Sequence, residues 1–148
     1  MTITAADVKK LREETGAGIM DAKRALVESK GEMARAKEII AAKGIERAEK
    51  KSDRETGVSR VFSYVHFNGK TAALVKLACE TDFVAKTDDF TQLGREIAMQ
   101  VASMAPESVE VLLKQDYLRD PKQTIEGLVK AVSGKTGENV RVLEIARL

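Results

Sequence analysis

Cysteine, histidine, tryptophan and proline are nearly missing from this chain: one Cys, one His, no Trp and two Pro in 148 residues. A single thiol, Cys79, excludes an intramolecular disulfide and argues against a cysteine-built metal site. A single imidazole, His66, removes most His-based triads and clusters. It lies in a strand-like run without a Cys or Ser partner at recognisable spacing, which favours a satisfied structural histidine over a catalytic base. Charge of one sign is scarce too. Residues 1–56 carry 13 Lys/Arg against 11 Asp/Glu and the remainder 12 against 12, for a net charge of +2. Neutralising many phosphates needs a clear cationic excess, so direct nucleic-acid binding is not expected and a protein partner fits better. No apolar run approaches the roughly 20 residues that cross a bilayer, so no membrane association is expected. The opening Met-Thr-Ile-Thr-Ala-Ala-Asp lacks the basic and apolar regions of a signal peptide. The expected location is cytoplasmic, or an organelle matrix if a transit peptide has been removed.

What is present is a soluble globular balance, 43% hydrophobic and 32% charged, enough for one ordinary domain or a very small one plus a medium one. The first stretch reads as three short helices. Thr4 is a plausible N-cap for a helix to about Glu14, with Ile3, Val8 and Leu11 along one side. Gly16 and Gly18 break it, since glycine takes the left-handed angles of a tight corner most easily. Ile19, Ala22 and Leu26 recur at helical spacing up to Ser29, and Gly31 interrupts again. Met33, Ala36, Ile39 and Ile40 mark a third helix, expected to close at Gly44. Eight of the twelve residues over 45–56 are charged and the stretch reads as a linker, although Glu46 and Lys50 could pair on an extended helix.

From Gly57 the period becomes that of a strand, a β-branched and aromatic run through Val58, Phe62 and Tyr64. Asn68-Gly69 is a strong hairpin-turn signal, and Thr71–Cys79 is the return strand. A helix follows from Phe90 to about Met104, stopped before Pro106. Short helices are expected near Ser108–Leu113 and from Thr124 to Ser133. Gly134 and Gly137 loosen the chain before a final strand, Val140 to Ala146. The expected fold class is α+β: a three-helix module over 1–44, a charged linker over 45–56, and a core over 57–148 with a three-stranded antiparallel sheet packed against helices.

Few motifs carry chemistry. Gly16-x-Gly18 follows a helix rather than a strand and lacks the Gly-Lys-Ser/Thr ending of a phosphate loop. Glu80, Asp82, Asp88 and Asp89 lack the spacing and central glycine of a calcium loop, and fit helix capping and the helix dipole better. Cys79, at an apolar strand end, reads as a small buried hydrophobe. No catalytic constellation, cofactor or metal site emerges. The informative stretch is Cys79-Glu80-Thr81-Asp82-Phe83-Val84-Ala85, where a strand-like run ends in an acid beside one of only four Phe residues. Two readings stand on local chemistry. Thr81 or Asp82 caps a helix while Phe83 folds into the core, or Phe83 faces outward as a ring that wedges into another protein.

Leu11-Arg12-Glu13-Glu14-Thr15-Gly16-Ala17-Gly18-Ile19-Met20-Asp21-Ala22-Lys23-Arg24-Ala25-Leu26, taken with Thr81-Asp82-Phe83-Val84-Ala85, resembles the elongation factor Ts family in order and separation. Gly94–Ala102, Gln115-Asp116-Tyr117 and Thr136-Gly137-Glu138-Asn139-Val140 resemble its short, single-core members. The resemblance implies a ubiquitin-associated-type module over the first three helices. It implies a nucleotide-exchange factor rather than an enzyme, one that binds the GTPase domain of elongation factor Tu and releases GDP by disturbing the magnesium and phosphate site. It points to Thr81, Asp82, Phe83 and Val84 at the corner, and to Arg12, Ile19 and Met20 in the module, as contact residues. Ile19 stands where many members have Met. It also implies a homodimer, through sheet edges or the region after Pro106. The alternative is a ubiquitin-associated-type adaptor for another partner, fused to an unrelated α+β core. A hydrolase using His66 is a more distant one.

Overall fold

Thr4 opens the first helix with a reciprocal cap. In the computed structural model, which describes residues 2–148, the Thr4 hydroxyl accepts the Asp7 N–H at 3.2 Å and the Asp7 carboxylate accepts the Thr4 N–H at 2.9 Å. Helix α1 (Ala5–Thr15) ends at Gly16, whose φ of 70° is the left-handed conformation that a Cβ disfavours. Gly18, by contrast, sits in extended backbone and caps α2 (Ile19–Glu28). Leu11, Ala22, Ala25, Leu26 and Ala36 are buried together, and Ile3, Val8, Ile39 and Ile40 pack around them.

Helix α3 does not close at Gly44. It runs from Met33 to Lys50, so the first half of the stretch expected as a linker is helical. The reason is tertiary. Gly134 of helix α7 (Ile125–Thr136) lies so close to α3 that a Cβ built on it would stand 2.2 Å from the Gly44 carbonyl oxygen. Gly134 lets the two helices touch backbone to backbone at Gly44, and that burial outweighs the roughly 1 kcal/mol helix penalty of the glycine in α3. Ion pairs Lys50–Glu46 (3.2 Å) and Lys130–Glu49 (3.3 Å) flank the tail of α3.

The core is the expected α+β arrangement. Strands β1 (Val58–Val65), β2 (Ala72–Cys79) and β5 (Arg141–Arg147) form an antiparallel sheet in the order β1-β2-β5. The hairpin closes wider than a two-residue turn: His66 N–H donates to the Thr71 carbonyl at 2.8 Å, with Gly69 left-handed inside the loop. A register shift beside Lys76 and Leu77 accounts for the consecutive apolar Val142 and Leu143 in β5. Phe62, Val75 and Leu77 of the sheet's inner face meet Phe90, Leu93, Ile97 and Val101 of helix α5 (Asp88–Met104). Phe62 lies across Gly94, where a Cβ would sit 2.1 Å from its ring, and meets Phe90 edge-on at 5.9 Å between centroids.

Between α5 and α7 lie helix α6 (Val109–Lys114) and a small hairpin, β3 (Asp116–Tyr117) with β4 (Asp120–Thr124), that the sequence pattern does not reveal. Pro121 and the lack of β-branched alternation hide it. Tertiary hydrogen bonds hold it instead. Buried Gln100 donates to the Asp116 carbonyl at 3.0 Å and accepts the Leu118 N–H at 3.0 Å. The Tyr117 hydroxyl donates to Glu96, and burial, then that carboxylate, pushes the phenol up to about 12.

The two glycines of the α3–α7 contact respond oppositely to alanine. Gly134→Ala must force the helices apart and is expected to destabilise by about 1–3 kcal/mol. A Cβ on Gly44 meets nothing within 4 Å, so Gly44→Ala is expected to stabilise by about 0.5–1 kcal/mol. Urea midpoints of the two variants check both signs.

Candidate partner-contact site

Strand β2 ends at Cys79, and α5 begins at Asp88, with Thr87 as its N-cap. The chain turns between them through one helical turn, α4 (Asp82–Ala85). Thr81 caps it, its hydroxyl accepting the Val84 N–H at 3.4 Å. The two faces of the turn differ sharply in exposure. Phe83 is 82% exposed and Asp82 is exposed beside it, while Val84 is 4% and Ala85 2% exposed. Phe83 is therefore not folded into the core. Val84, expected among the contact residues, is buried in the free chain: one residue on from Phe83 in a helical turn, it points about 100° away and into the core with Phe90 and Cys79.

The corner is held from both sides. On its C-terminal side the Arg60 guanidinium, stacked 4.9 Å from the Phe62 centroid, donates to the Ala85 carbonyl at 2.6 Å. On its N-terminal side the Glu138 carboxylate accepts the Glu80 N–H (3.0 Å), the Thr81 N–H (2.9 Å) and the Thr81 hydroxyl (2.6 Å). Beneath them the Cys79 thiol donates to the Thr81 carbonyl at 3.2 Å. Burial pushes that thiol up first, and the neighbouring Glu138 carboxylate adds to it, so it stays protonated at neutral pH. Arg60 and Glu138 are the residues that sequence reasoning missed as parts of this corner. They lie 25 and 57 residues from their partners, with no local signal.

Two of the predicted residues of the module, Ile19 and Met20, lie at the start of α2, and the third, Arg12, lies on α1. Ile19 is 57% and Met20 62% exposed, so neither belongs to the core of the module. Val27 joins them, 58% exposed. Its seven-residue spacing from Met20 is two helical turns, a signal the sequence did contain. Met20, Lys23, Arg24, Val27 and Lys43 line a shallow groove here. Arg12 is exposed and its Nε donates to the Ala17 carbonyl at 3.3 Å, bracing the Gly16–Gly18 corner. No hydrogen bond or ion pair among the described residues joins this patch to Phe83; the two stand on separate elements.

Other sites offer less. A cavity of about 290 Å³ lies between the Gly16–Gly18 corner, α3 and α7. The cations along it are engaged: Lys37 with Glu14 (2.6 Å), Arg47 with Asp21 (2.8 Å) and Lys135 with Asp89 (3.1 Å). Among the described residues no group of three or more His, Cys, Asp or Glu is placed to hold a metal ion, and no helix is long and apolar enough to cross a membrane.

A helical module and an α+β core, each presenting exposed apolar side chains, define the class: an α+β protein with two hydrophobic clusters. The family model described as Elongation factor TS matches residues 2–111 and again 80–148. Elongation factor Ts of Fervidobacterium nodosum is 45% identical over 147 aligned residues, covering 91% of this chain and 75% of that relative. Elongation factor Ts of Coprothermobacter proteolyticus is 38% identical, covering 99% of this chain and 98% of its own. That alignment spans 192 positions where this chain has 148 residues, so the relative carries segments without a counterpart here. Elongation factor Ts of Rippkaea orientalis is 37% identical over 98% of this chain and 77% of its own. The chain belongs to the elongation factor Ts family and is a translation elongation factor.

Exposure separates the roles of two neighbouring residues. Phe83→Ala is expected to leave stability unchanged within about 0.5 kcal/mol, as for an exposed position. Val84→Ala removes two buried methyl equivalents and is expected to cost about 2 kcal/mol. Chemical denaturation of the two variants makes the comparison.

Proposed function

We propose that the chain is a guanine-nucleotide exchange factor for elongation factor Tu, and that Asp82 and Phe83 form its working tip. The observation that carries this reading is the 82% exposure of Phe83 on a capped turn, in a member of the elongation factor Ts family. Leaving a phenylalanine in water sacrifices about 2 kcal/mol of burial, which a partner's pocket would restore. Set against the GTPase domain, the ring would wedge between helices while the neighbouring carboxylate perturbs the groups that support the magnesium ion. GDP is held by that ion and a phosphate loop, so displacing the support releases it without any covalent step. By linkage the factor must bind the nucleotide-free GTPase more tightly than the GDP form, by the factor through which it weakens GDP. The helical module, residues 1–44, docks through Arg12, Ile19 and Met20; the core carries the tip. Such a protein accelerates release but is no enzyme acting on a covalent bond.

The reading is tested by release of fluorescent GDP from purified elongation factor Tu. The wild-type chain is expected to accelerate release strongly, and Asp82→Ala/Phe83→Ala to lose most of that acceleration while still binding through α2. A folded wild-type chain without effect would overturn the exchange reading and leave the adaptor in front, with affinity residing in residues 1–44.

A homodimer belongs to the same proposal. Val61, Val65, Leu74 and Leu148 are exposed on the outer face of the sheet, next to Ala72 and Ala146, and support it. That face is continuous with both edge strands, β1 and β5. Light scattering at micromolar concentration is expected to give twice the 16.2 kDa chain mass, reverting to one chain in Leu74→Lys. A wild-type mass of a single chain would rule the dimer out.

A further inference from the structure

We propose that Glu138 is the positioning residue of the exchange tip, holding Asp82 and Phe83 in the orientation in which they engage a partner; this rests on the exchange reading above. The need for such a residue follows from the corner itself. Helix α4 has four residues, a single turn. Isolated helices shorter than about 12 residues are marginal in water, because nucleation fixes several dihedrals for one hydrogen bond. A turn this short cannot set its own direction. Beyond Cys79 the chain has also left the sheet, so the N–H groups of Glu80 and Thr81 have no strand partner there.

Glu138 answers both needs with one carboxylate. Oε1 accepts the N–H groups of Glu80 and Thr81 at 3.0 and 2.9 Å, and Oε2 accepts the Thr81 hydroxyl at 2.6 Å. Hydrogen bonds to an ionised acceptor are about twice as strong as neutral ones. The Thr81 hydroxyl, its proton committed to Glu138, points its lone pair at the Val84 N–H and caps α4. Orientation therefore passes from Glu138 through Thr81 to the turn that carries Phe83.

Glu138 is itself held. It follows Gly137, which ends α7 in the left-handed conformation at a φ of 79°, and its carbonyl accepts the hydroxyl of buried Ser133 at 2.6 Å. The next residue reciprocates the contact: the Asn139 N–H donates to the Glu80 carboxylate at 2.7 Å. The Asn139 side chain donates to the carbonyls of Ser52 (3.2 Å) and Arg54 (2.7 Å), just past the end of α3. Glu138 and Asn139 thus tie the tip to the end of α7 and to the tail of the helix that belongs to the docking module. Two contact patches held in one frame present the second to a partner at high effective concentration once the first is bound.

The test separates a positioning role from a merely structural one. Amide hydrogen exchange is measured on the isolated wild-type, Glu138→Ala and Glu138→Gln chains. GDP release from elongation factor Tu is followed across a range of factor concentrations. In Glu138→Ala the amides of Glu80, Thr81 and Val84 are expected to exchange at least tenfold faster while those of β2 keep their protection. The maximal release rate is expected to fall about tenfold with half-saturation shifted less than twofold, since docking through α2 survives. Glu138→Gln keeps one acceptor for the two backbone N–H groups and is expected to recover part of that rate. Thr81→Val combined with Glu138→Ala is expected to cost less than the sum of the two single variants, because the two share the bond between the Thr81 hydroxyl and Oε2. Full release activity in Glu138→Ala, or unchanged exchange at residues 80, 81 and 84, would overturn the proposal. A wild-type chain that leaves GDP release untouched overturns the exchange reading itself, so the two failures are distinguishable.

Discussion

Phe62 lying across Gly94 sets the distance between the sheet and α5, and most of the molecule is arranged around that contact. A methyl group at Gly94 would meet the ring at 2.1 Å, so only a glycine lets the helix come this near. At that separation Phe90 turns its edge to the Phe62 ring, and the aliphatic side chains of β2 are buried in the same layer. The end of β2 and the start of α5 are fixed by the same packing. The segment between them is short, and Arg60, stacked on Phe62, reaches the carbonyl of Ala85 at the end of α4. The exposed ring of Phe83 is thus cantilevered from the contact between the sheet and α5.

A second contact of the same kind joins the helical module to this core. Gly134 brings α7 to backbone distance of α3 at Gly44, and α3 continues past the point where its sequence suggests an end. The tail of α3 then meets Asn139, and the residue before it, Glu138, holds the corner. Small residues at two crossings and one pair of polar residues after α7 carry the whole connection. Its polar members are hydrogen-bonded, and no buried side-chain nitrogen or oxygen among the described residues lacks a partner, as low-dielectric surroundings require.

Local sequence made much of this legible. The Thr4 cap, the Gly16 corner, the Asn68-Gly69 hairpin and the strand–helix–strand order all express short-range rules, and each is present within a few residues of its expected place. The family strings around Gly16 and Asp82 are equally local. What escaped was non-local. The β3–β4 hairpin contains Pro121 and has weak strand propensity; it exists because Gln100 and Glu96, on another helix, supply its hydrogen bonds. Glycine at position 44 reads as a stop when only its own helix is considered.

The sequence by itself determined most of the elements, the α+β class and the position of the Asp82–Phe83 corner, because caps, turns and periodicity act over a few residues along the chain. Which side of that corner faces water was decided by tertiary structure alone. Thr81, Phe83 and Val84 are chemically ordinary for either a buried or an exposed turn. Burial of Val84 and the bonds from Glu138 and Arg60, contributed by distant parts of the chain, turn Phe83 outward.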